Sequence, residues 1–163
     1  MGLKQYIIEV GYKDNILDAL GESINKDIHD LGIKNVTKIK SVQIYKIDTD
    51  LIFAQIDDLC CKLLIDPITQ EYVINKTIDS AANEKHFVIE VWFKKGVTDA
   101  VADTVITGIR DLGFQPEHIN VHTGAKYIVY GKLQPKEAES IASKLLANTI
   151  VQDFFIGAAE KYA

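Results

Sequence analysis

Two short segments that combine lysine with glycine are the residues of this chain best suited to contact another molecule. One is Lys94-Lys95-Gly96, and the other is Gly124 with Lys126 and Tyr127. A lysine ammonium attracts phosphate or carboxylate groups, and a glycine lets such a group approach the backbone closely. The same glycines also serve ordinary turns. Contact with a partner or a nucleotide phosphate and simple turn geometry therefore remain equal alternatives.

Glu9 and Glu90 are the residues most suited to acid–base chemistry, because they occupy matching positions in two similar apolar segments. Paired carboxylates of this kind can exchange protons with a substrate. They can also be a symmetric polar pair near a joint between two halves of the molecule, and we favour that interpretation.

The histidines and cysteines do not form a recognisable metal or redox site. His118 and His122 flank a short predicted strand, over which four residues span roughly 13 Å. Cys60 and Cys61 are neighbours without a C-x-x-C pattern and are expected to be buried or half-buried thiols on a helix. No phosphate-binding glycine loop, zinc signature or nucleophile elbow is present. The sequence therefore predicts no catalytic residue, no metal and no cofactor.

The composition is that of a globular protein, since 47% of the 163 residues are hydrophobic and 25% are charged. The formal net charge of −5 opposes binding to nucleic acid and to anionic membranes. Arg110 is the only arginine, which argues against a centre that clamps phosphates. No apolar run reaches the roughly 20 residues of a membrane helix, and no signal peptide is recognisable. Two adjacent cysteines cannot form a disulfide framework, so we expect a cytoplasmic protein.

The segments that contain these residues occur twice in the sequence. Residues 6–74 align with residues 87–156 after a single one-residue insertion in the second copy. The clearest matches set Tyr6-Ile7-Ile8-Glu9-Val10 against Phe87-Val88-Ile89-Glu90-Val91 and Ile28-His29-Asp30-Leu31-Gly32 against Ile109-Arg110-Asp111-Leu112-Gly113. We therefore expect two similar units, residues 1–75 and 86–163, joined by a polar linker of residues 76–85.

Each unit is predicted to have the order β-α-β-β-α-β. In the second unit the predicted elements are a strand over 86–94, a helix over 97–112, strands over 119–122 and 127–130, a helix from Pro135 and a strand over 150–156. Gly113 ends the first helix, and Thr98 or Asp99 can cap it. Thr123-Gly124 is the predicted turn between the two middle strands.

Each predicted sheet has an apolar face that its own helices do not cover. A unit of this order places both helices on one face of an antiparallel sheet, as in ferredoxin-like folds. An apolar second face needs a cover, and the other unit is the simplest one. We predict an α+β fold in which the two sheets pack face to face as a pseudo-dimer, with the helices outside. The residues expected at this interface are Ile7, Glu9, Val88, Glu90, Trp92, Ile128 and Tyr130.

Three segments of the second unit form an ordered set. They are Phe93-Lys94-Lys95-Gly96-Val97, Gly124-Ala125-Lys126-Tyr127 and Lys144-Leu145-Leu146-Ala147-Asn148. This set resembles the PurS family, the small subunit of phosphoribosylformylglycinamidine synthase, whose pattern has a Lys-Pro-Gly-Val-like loop, a Gly-Lys-Tyr strand start and a Leu-Leu-Ala-Asn-Pro ending. The resemblance covers the second unit and, more faintly, the first.

Each copy departs from the family pattern in its own way. In the second, Lys95 replaces the loop proline, Ala125 separates the glycine from the lysine, and Thr149 replaces the final proline. The first keeps that proline as Pro67 but lacks the glycine and lysine before Tyr45. Such complementary losses are expected when two copies take different roles in one asymmetric assembly.

The resemblance implies a non-catalytic accessory role without a cofactor. PurS proteins are dimers that bridge a glutaminase (PurQ-type) and an ATP-dependent synthetase (PurL-type), so that ammonia from glutamine converts formylglycinamide ribonucleotide into the amidine. A tandem pair resembles the PurS-dimer-like N-terminal region of the single-chain enzyme. The resemblance thus implies these two subunits as partners, with no nucleic acid and no membrane, and leaves further self-association open.

Two other functions share the predicted order of strands and helices. A small-molecule regulatory module of the ACT type would bind its ligand between paired domains near a glycine-bearing turn after the first strand, which Gly96 fits loosely and Asn15 does not. An acylphosphatase-like enzyme would need an arginine in the loop after the first strand, and neither copy has one.

Overall fold

Two long antiparallel strands form the centre of the structure, a computed structural model that describes residues 2–78 and 84–157. The first repeat contains β1 (Lys4–Tyr12), α1 (Ala19–Asp30), β2 (Val36–Thr49), α2 (Phe53–Leu59) and β3 (Gln70–Ile74). The second contains β4 (His86–Phe93), α3 (Ala100–Asp111), β5 (Ile119–Gly131), α4 (Pro135–Ile141) and β6 (Gln152–Gly157). A π-helical turn extends α2 over Cys60–Leu64 and α4 over Ala142–Leu146.

The strands of both repeats belong to one sheet with the order β3-β1-β2-β5-β4-β6. The long strands β2 and β5 pair with each other over their whole length, from Val36 opposite Gly131 to Thr49 opposite Ile119. The shorter strands β1 and β4 then add to the outer edges of this central pair. The two repeats are therefore joined by a continuous ladder of backbone hydrogen bonds.

The α+β class and the duplicated organisation are confirmed, but the predicted packing of two separate sheets face to face is wrong. The repeats meet edge to edge, within one sheet. The physical reason is that a long central strand leaves a row of unpaired backbone groups, and pairing with its counterpart satisfies them. Alternating burial of side chains, which is all the sequence displays, is compatible with either arrangement.

The predicted turn at Thr123-Gly124 is also absent, because β5 runs straight through it. A hairpin would have given residues 119–122 and 127–130 each other as partners. Instead both stretches pair with β2 of the other repeat. Gly124 serves a different purpose, since a Cβ atom at this position would lie 2.7 Å from the indole ring of Trp92. Each repeat consequently has the order β-α-β-α-β.

Each hydrophobic core contains helices from both repeats. In one core, Val105 and Ile109 of α3 pack with α2 and β1 of the first repeat. In the other, Ile24 and Ile28 of α1 pack with α4 and β4 of the second repeat. The helices thus cover one face of the sheet while crossing the boundary between repeats. Burying apolar area stabilises a fold by about 25 cal/mol per Å², and here both cores bury residues of both copies.

Two aspartates anchor the first helix of each repeat to the sheet. Asp18 accepts hydrogen bonds from the backbone N–H of Gly21 in α1 (2.8 Å) and of Ser41 in β2 (2.6 Å). Asp99 does the same with Ala102 in α3 (3.0 Å) and Thr123 in β5 (2.7 Å). Of the two predicted caps of α3, Asp99 is therefore the one used.

Candidate functional site

The face of the sheet that the helices leave open carries a buried ion pair between the repeats. The Nζ atom of Lys126 in β5 lies 2.5 Å from Oε1 of Glu9 in β1, and the two side chains are 1% and 0% exposed. The same Oε1 accepts a hydrogen bond from the backbone N–H of Ile78, at 2.8 Å. Within the described residues, Oε2 of Glu9 has no hydrogen-bond partner. This pair is one of the direct contacts that cross from the first repeat to the second.

Glu90 is the counterpart of Glu9 and is also buried. Its Oε1 accepts a hydrogen bond from the indole Nε1 of Trp92, at 3.0 Å, and in the sheet register it lies opposite Lys126. Both carboxylates are therefore out of reach of solvent and have donors beside them. This arrangement favours the interpretation of Glu9 and Glu90 as a polar pair at the joint over an acid–base site.

Next to these glutamates, each repeat pairs a glycine with a larger residue, but the glycine is on the first strand of one repeat and on the second strand of the other. In the first repeat Gly11 lies opposite Val42, and in the second Trp92 lies opposite Gly124. The Trp92 ring covers Gly124, whereas a Cβ atom at Gly11 would lie 3.0 Å from Cδ1 of Ile78. Ile78 of the linker thus fills beside Glu9 the space that the tryptophan ring fills beside Glu90.

An open groove of about 590 Å³ lies beside Trp92 and contains residues of both repeats. Gln5, Ile7 and Lys46 line it from the first repeat. The second repeat contributes Trp92 and the loop Lys94–Val97, together with His122. We call this cavity the Trp92 groove.

The loop from Lys94 to Val97 is held in place by backbone geometry. The Lys94 N–H donates to the carbonyl of Val151 at 2.8 Å, and the Val97 N–H donates to the carbonyl of Lys94 at 3.1 Å. Gly96 has φ +83°, a left-handed conformation that favours glycine over any residue with a side chain. The turn therefore requires its glycine and at the same time presents Lys94 and Lys95 at the rim of the Trp92 groove.

The accessible charges of the Trp92 groove are positive. Two carboxylates also line it, but Asp99 is bonded to the start of α3 and to Thr123, and Glu90 is buried and accepts from the indole of Trp92. Within the parts of the chain that the structure describes, Lys46 and Lys95 form no ion pair, and Lys94 approaches Asp153 only at 3.8 Å. The groove is thus a local basic region in a chain with a net charge of −5.

The residues predicted as partner contacts are divided between this groove and the interior. Lys94, Lys95 and Gly96 line the groove, whereas Gly124 lies under Trp92 and Lys126 is buried in its ion pair. Tyr127 lies on the opposite face, packed against the core that contains α1. Burial, with a smaller contribution from the charge of Asp18, raises the pKa of the Tyr127 hydroxyl. A contact role for all six stays a prediction. Lys94, Lys95 and Gly96 are accessible in the groove, half-buried Tyr127 is accessible on the other face, and Gly124 and Lys126 are buried.

The seven residues predicted at the joint between repeats do share one face of the sheet. Val88, Ile128 and Tyr130 are buried on it, and Glu9 reaches the other repeat through Lys126. The main contact between repeats runs beside them, along the β2–β5 ladder. The sequence did not identify Lys46 as a residue of the Trp92 groove, or Ile78 as the residue that covers Gly11. The sequence did contain one sign of this difference, because β1 has Gly11 where the otherwise similar β4 has Trp92.

The two cysteines differ in their surroundings. Burial raises the pKa of the Cys60 thiol to about 12, with smaller contributions from Asp57 and Cys61. Cys61 is exposed, and its Sγ lies 3.2 Å from the hydroxyl of Tyr72. That hydroxyl donates to Oδ1 of Asp57 at 2.6 Å, and this bond is the largest cause of the raised pKa of Tyr72. The pair therefore consists of one inert and one accessible thiol.

Two kinds of site are absent from the described parts of the chain. Residues 2–78 and 84–157 contain no group of three or more His, Cys, Asp or Glu side chains that could hold a metal ion. None of the helices in these ranges is long and apolar enough to span a membrane.

Comparison with known proteins gives matches that follow the two repeats. The model of the PurS family, described as phosphoribosylformylglycinamidine (FGAM) synthase, matches residues 5–77 and again residues 86–160. The phosphoribosylformylglycinamidine synthase subunit PurS of Archaeoglobus fulgidus is 31% identical over 72 residues, which are 41% of this chain and 90% of that protein. A solved structure of Methanocaldococcus jannaschii PurS, one of the subunits of formylglycinamide ribonucleotide amidotransferase in the purine biosynthetic pathway, is 22% identical with a TM-score of 0.37, covering 43% of this chain and 90% of that one.

Proposed function

The chain belongs to the PurS family, and on this basis we propose that it is an accessory subunit of phosphoribosylformylglycinamidine synthase in purine biosynthesis. In this role a single chain takes the place of a pair of PurS subunits. It holds a PurL-type synthetase and a PurQ-type glutaminase together, in the cytoplasm, so that ammonia released from glutamine reaches the synthetase before it escapes into water.

The observation that carries this proposal is the covalent and intertwined pairing of two family units. Both repeats share one sheet through the full β2–β5 ladder, and each core needs helices from both. Fusion makes their association intramolecular, so that the pair does not dissociate at low concentration. Such a rigid unit suits a bridging task, in which two other proteins must be held at a fixed separation and orientation.

The chemistry of the described residues supports an accessory role. The carboxylates Glu9 and Glu90 are buried and bound to donors, Glu9 to Lys126 and Glu90 to the indole N–H of Trp92, which favours a structural role for both. The bonds that form and break in amidine synthesis would therefore be handled by the partner subunits. The contribution of this chain is then surface complementarity, which sets the relative position of two active sites.

The test is glutamine-dependent amidine synthesis by the cognate synthetase and glutaminase, with and without this chain. Formylglycinamide ribonucleotide and ATP are supplied, and ammonia replaces glutamine in the control. We expect the glutamine-driven rate to require the chain and the ammonia-driven rate to depend on it much less. Equal glutamine-driven rates in both samples, together with no co-elution with either partner, would disprove the bridging role.

A second candidate is suggested by the glycine-bearing turn at Gly96, which opens into the Trp92 groove. An ACT-type regulatory module would bind a small ligand at such a turn. A thermal-shift screen with amino acids and purines separates the two candidates. Stabilisation by one of these compounds, without any effect of the chain on the glutamine-driven rate, would favour the regulatory module.

A further inference from the structure

The two halves of the open sheet face are unequal, although the repeat relates them. Val88 and Ile128 in one half are only 2% and 0% exposed. Their counterparts in the other half are Ile7 and Lys46, which are half-buried and line the Trp92 groove beside the exposed His122. One half of this face is thus closed and the other half is open.

The described residues at both ends of the linker contact the sheet. At the start of the linker, the last described residue is Ile78, whose side chain lies on Gly11. At the other end, the carbonyl of Lys85 accepts a hydrogen bond from the Gly131 N–H at 2.9 Å. Both ends therefore lie against the closed half. Two side chains of the sheet hold the backbone of Ile78. The Ile78 N–H donates to Glu9, and the Ile78 carbonyl lies 3.5 Å from Nζ of Lys126. The buried charges of this face thus hold the backbone of one residue, Ile78.

The open half differs from the closed half in charge. Three lysines line it, Lys46 from the sheet and Lys94 and Lys95 from the loop. At these positions the other repeat has Ile128, Lys13 and Asp14, and its Lys40 matches His122, so the open half still has the larger positive charge. A segment bound in the open half would therefore meet positive charge, which attracts carboxylates and increases the rate of association.

We propose that the Trp92 groove is the docking site for an extended, acidic segment of a partner subunit of the synthase. The inference rests on the proposed function and identifies the surface to which a partner subunit would bind. Carboxylates of the segment pair with Lys46 and Lys95, and one of its apolar side chains packs on Trp92.

The experiment uses the chain labelled with 5-fluorotryptophan, which places a single ¹⁹F probe in the groove because Trp92 is the only tryptophan. Unlabelled synthetase or glutaminase is added, and binding is measured in parallel by co-elution. The test variant is Lys46→Glu/Lys95→Glu. The matched control is Lys38→Glu/Lys132→Glu, which makes the same change in charge at two exposed lysines outside the groove. Circular dichroism verifies that all three proteins are folded.

We expect one partner to shift or broaden the ¹⁹F signal of the wild-type chain. The test variant should bind that partner about tenfold more weakly, whereas the control variant should bind it as the wild type does. The affinity of the wild-type chain should also fall between about 50 and 300 mM salt.

Several results would overturn the assignment, and they separate failure of the groove from failure of the proposed function. Equal binding by the test variant, or a ¹⁹F signal that a bound partner leaves unchanged, would show that docking occurs elsewhere while the bridging role stands. A signal that responds to inorganic phosphate or a purine nucleotide, and to neither partner, would make the groove a small-molecule site. If the wild-type chain binds neither partner and has no effect on glutamine-driven synthesis, the proposed function fails together with the groove.

Discussion

At the scale of single residues, the unequal copies are most apparent around Lys126. The first repeat has Ile44 at the corresponding position, so one buried lysine lies on a face that also buries Glu9 and Glu90. A buried ion pair gains little over an apolar pair of the same shape, but removing one partner leaves an uncompensated charge. We therefore expect the pair to favour the native alignment of the repeats, since misaligned strands would leave the carboxylate of Glu9 buried without Lys126.

Lys126→Met should reduce the free energy of unfolding by about 3–5 kcal/mol, because it leaves the carboxylate of Glu9 buried without a cation. Urea denaturation at neutral pH measures the loss. The double variant Glu9→Gln/Lys126→Met should recover part of it, and the exposed Lys38→Met should cost less than about 0.5 kcal/mol. A loss below about 1 kcal/mol for Lys126→Met would show that the ion pair does not hold the repeats in register.

The two cysteines should differ in their reaction with a thiol reagent. Burial keeps Cys60 protonated, with a pKa of about 12, whereas Cys61 is exposed. At about pH 8 a disulfide reagent should therefore label one thiol in the folded chain and two after unfolding in urea. Cys61→Ser should abolish the fast labelling, and Cys60→Ser should leave it unchanged. Rapid labelling of both thiols in the folded protein would contradict the described burial.

At the scale of elements, the helices were the most predictable part of the fold. The apolar spacing, the glycines after each first helix and the capping aspartates are local signals, and they give the helix positions to within a few residues. Not every apolar residue of these helices is buried, because Leu20 and Val101 in the first turns of α1 and α3 remain exposed, as do Leu31 and Leu112 directly after the two helices. Spacing shows which side of a helix is apolar, but not how far the sheet extends beneath it.

Asp99→Ala should destabilise the fold by about 2–4 kcal/mol, because it removes both the cap of α3 and the bonds to Thr123 in β5. Thermal and urea denaturation give the value. Asp103→Ala, one turn further along the same helix, is the control and should cost less than about 1 kcal/mol. Similar losses for the two variants would mean that Asp99 acts through the helix dipole alone and does not tie the helix to the sheet.

The strands were less predictable than the helices, and Thr123-Gly124 shows why. In the sequence this pair has the composition of a hairpin turn, and only the neighbouring Trp92 ring reveals the use of its glycine. Whether β5 folds back on itself or continues depends on a partner strand about eighty residues away along the chain. The candidate site, like the strands, was predicted only in part. The local turn at Lys94–Gly96 was found, whereas Lys46 and Ile78 reach the groove and its counterpart only through tertiary contacts.

At the scale of the whole molecule, the repeat in the sequence is not a boundary between two independent folds. Each repeat supplies one helix to the core of the other. The sequence established that there are two copies, but not how they are joined, since face-to-face and edge-to-edge pairing bury the same alternating residues. The shared cores make fusion advantageous, because neither copy completes its core alone.

A fragment of residues 84–157 should therefore fail to fold as a monomer. Without the first repeat, α3 loses α2 and β1, and the full length of β5 is exposed as an unpaired edge. Analytical ultracentrifugation with circular dichroism should show either an unfolded chain or a self-associated one, while the intact chain remains folded. Cooperative unfolding of a monomeric fragment, independent of its concentration, would contradict the shared cores.

If this one chain performs the task of a PurS pair, as we propose, one chain should suffice for each synthetase, and a titration measures this ratio. Increasing amounts of the chain are added to fixed amounts of cognate synthetase and glutaminase, and glutamine-driven amidine synthesis is followed. We predict a rate that rises and saturates at one chain per synthetase, while the ammonia-driven rate changes little. A glutamine-driven rate that stays flat over the whole titration would contradict the account.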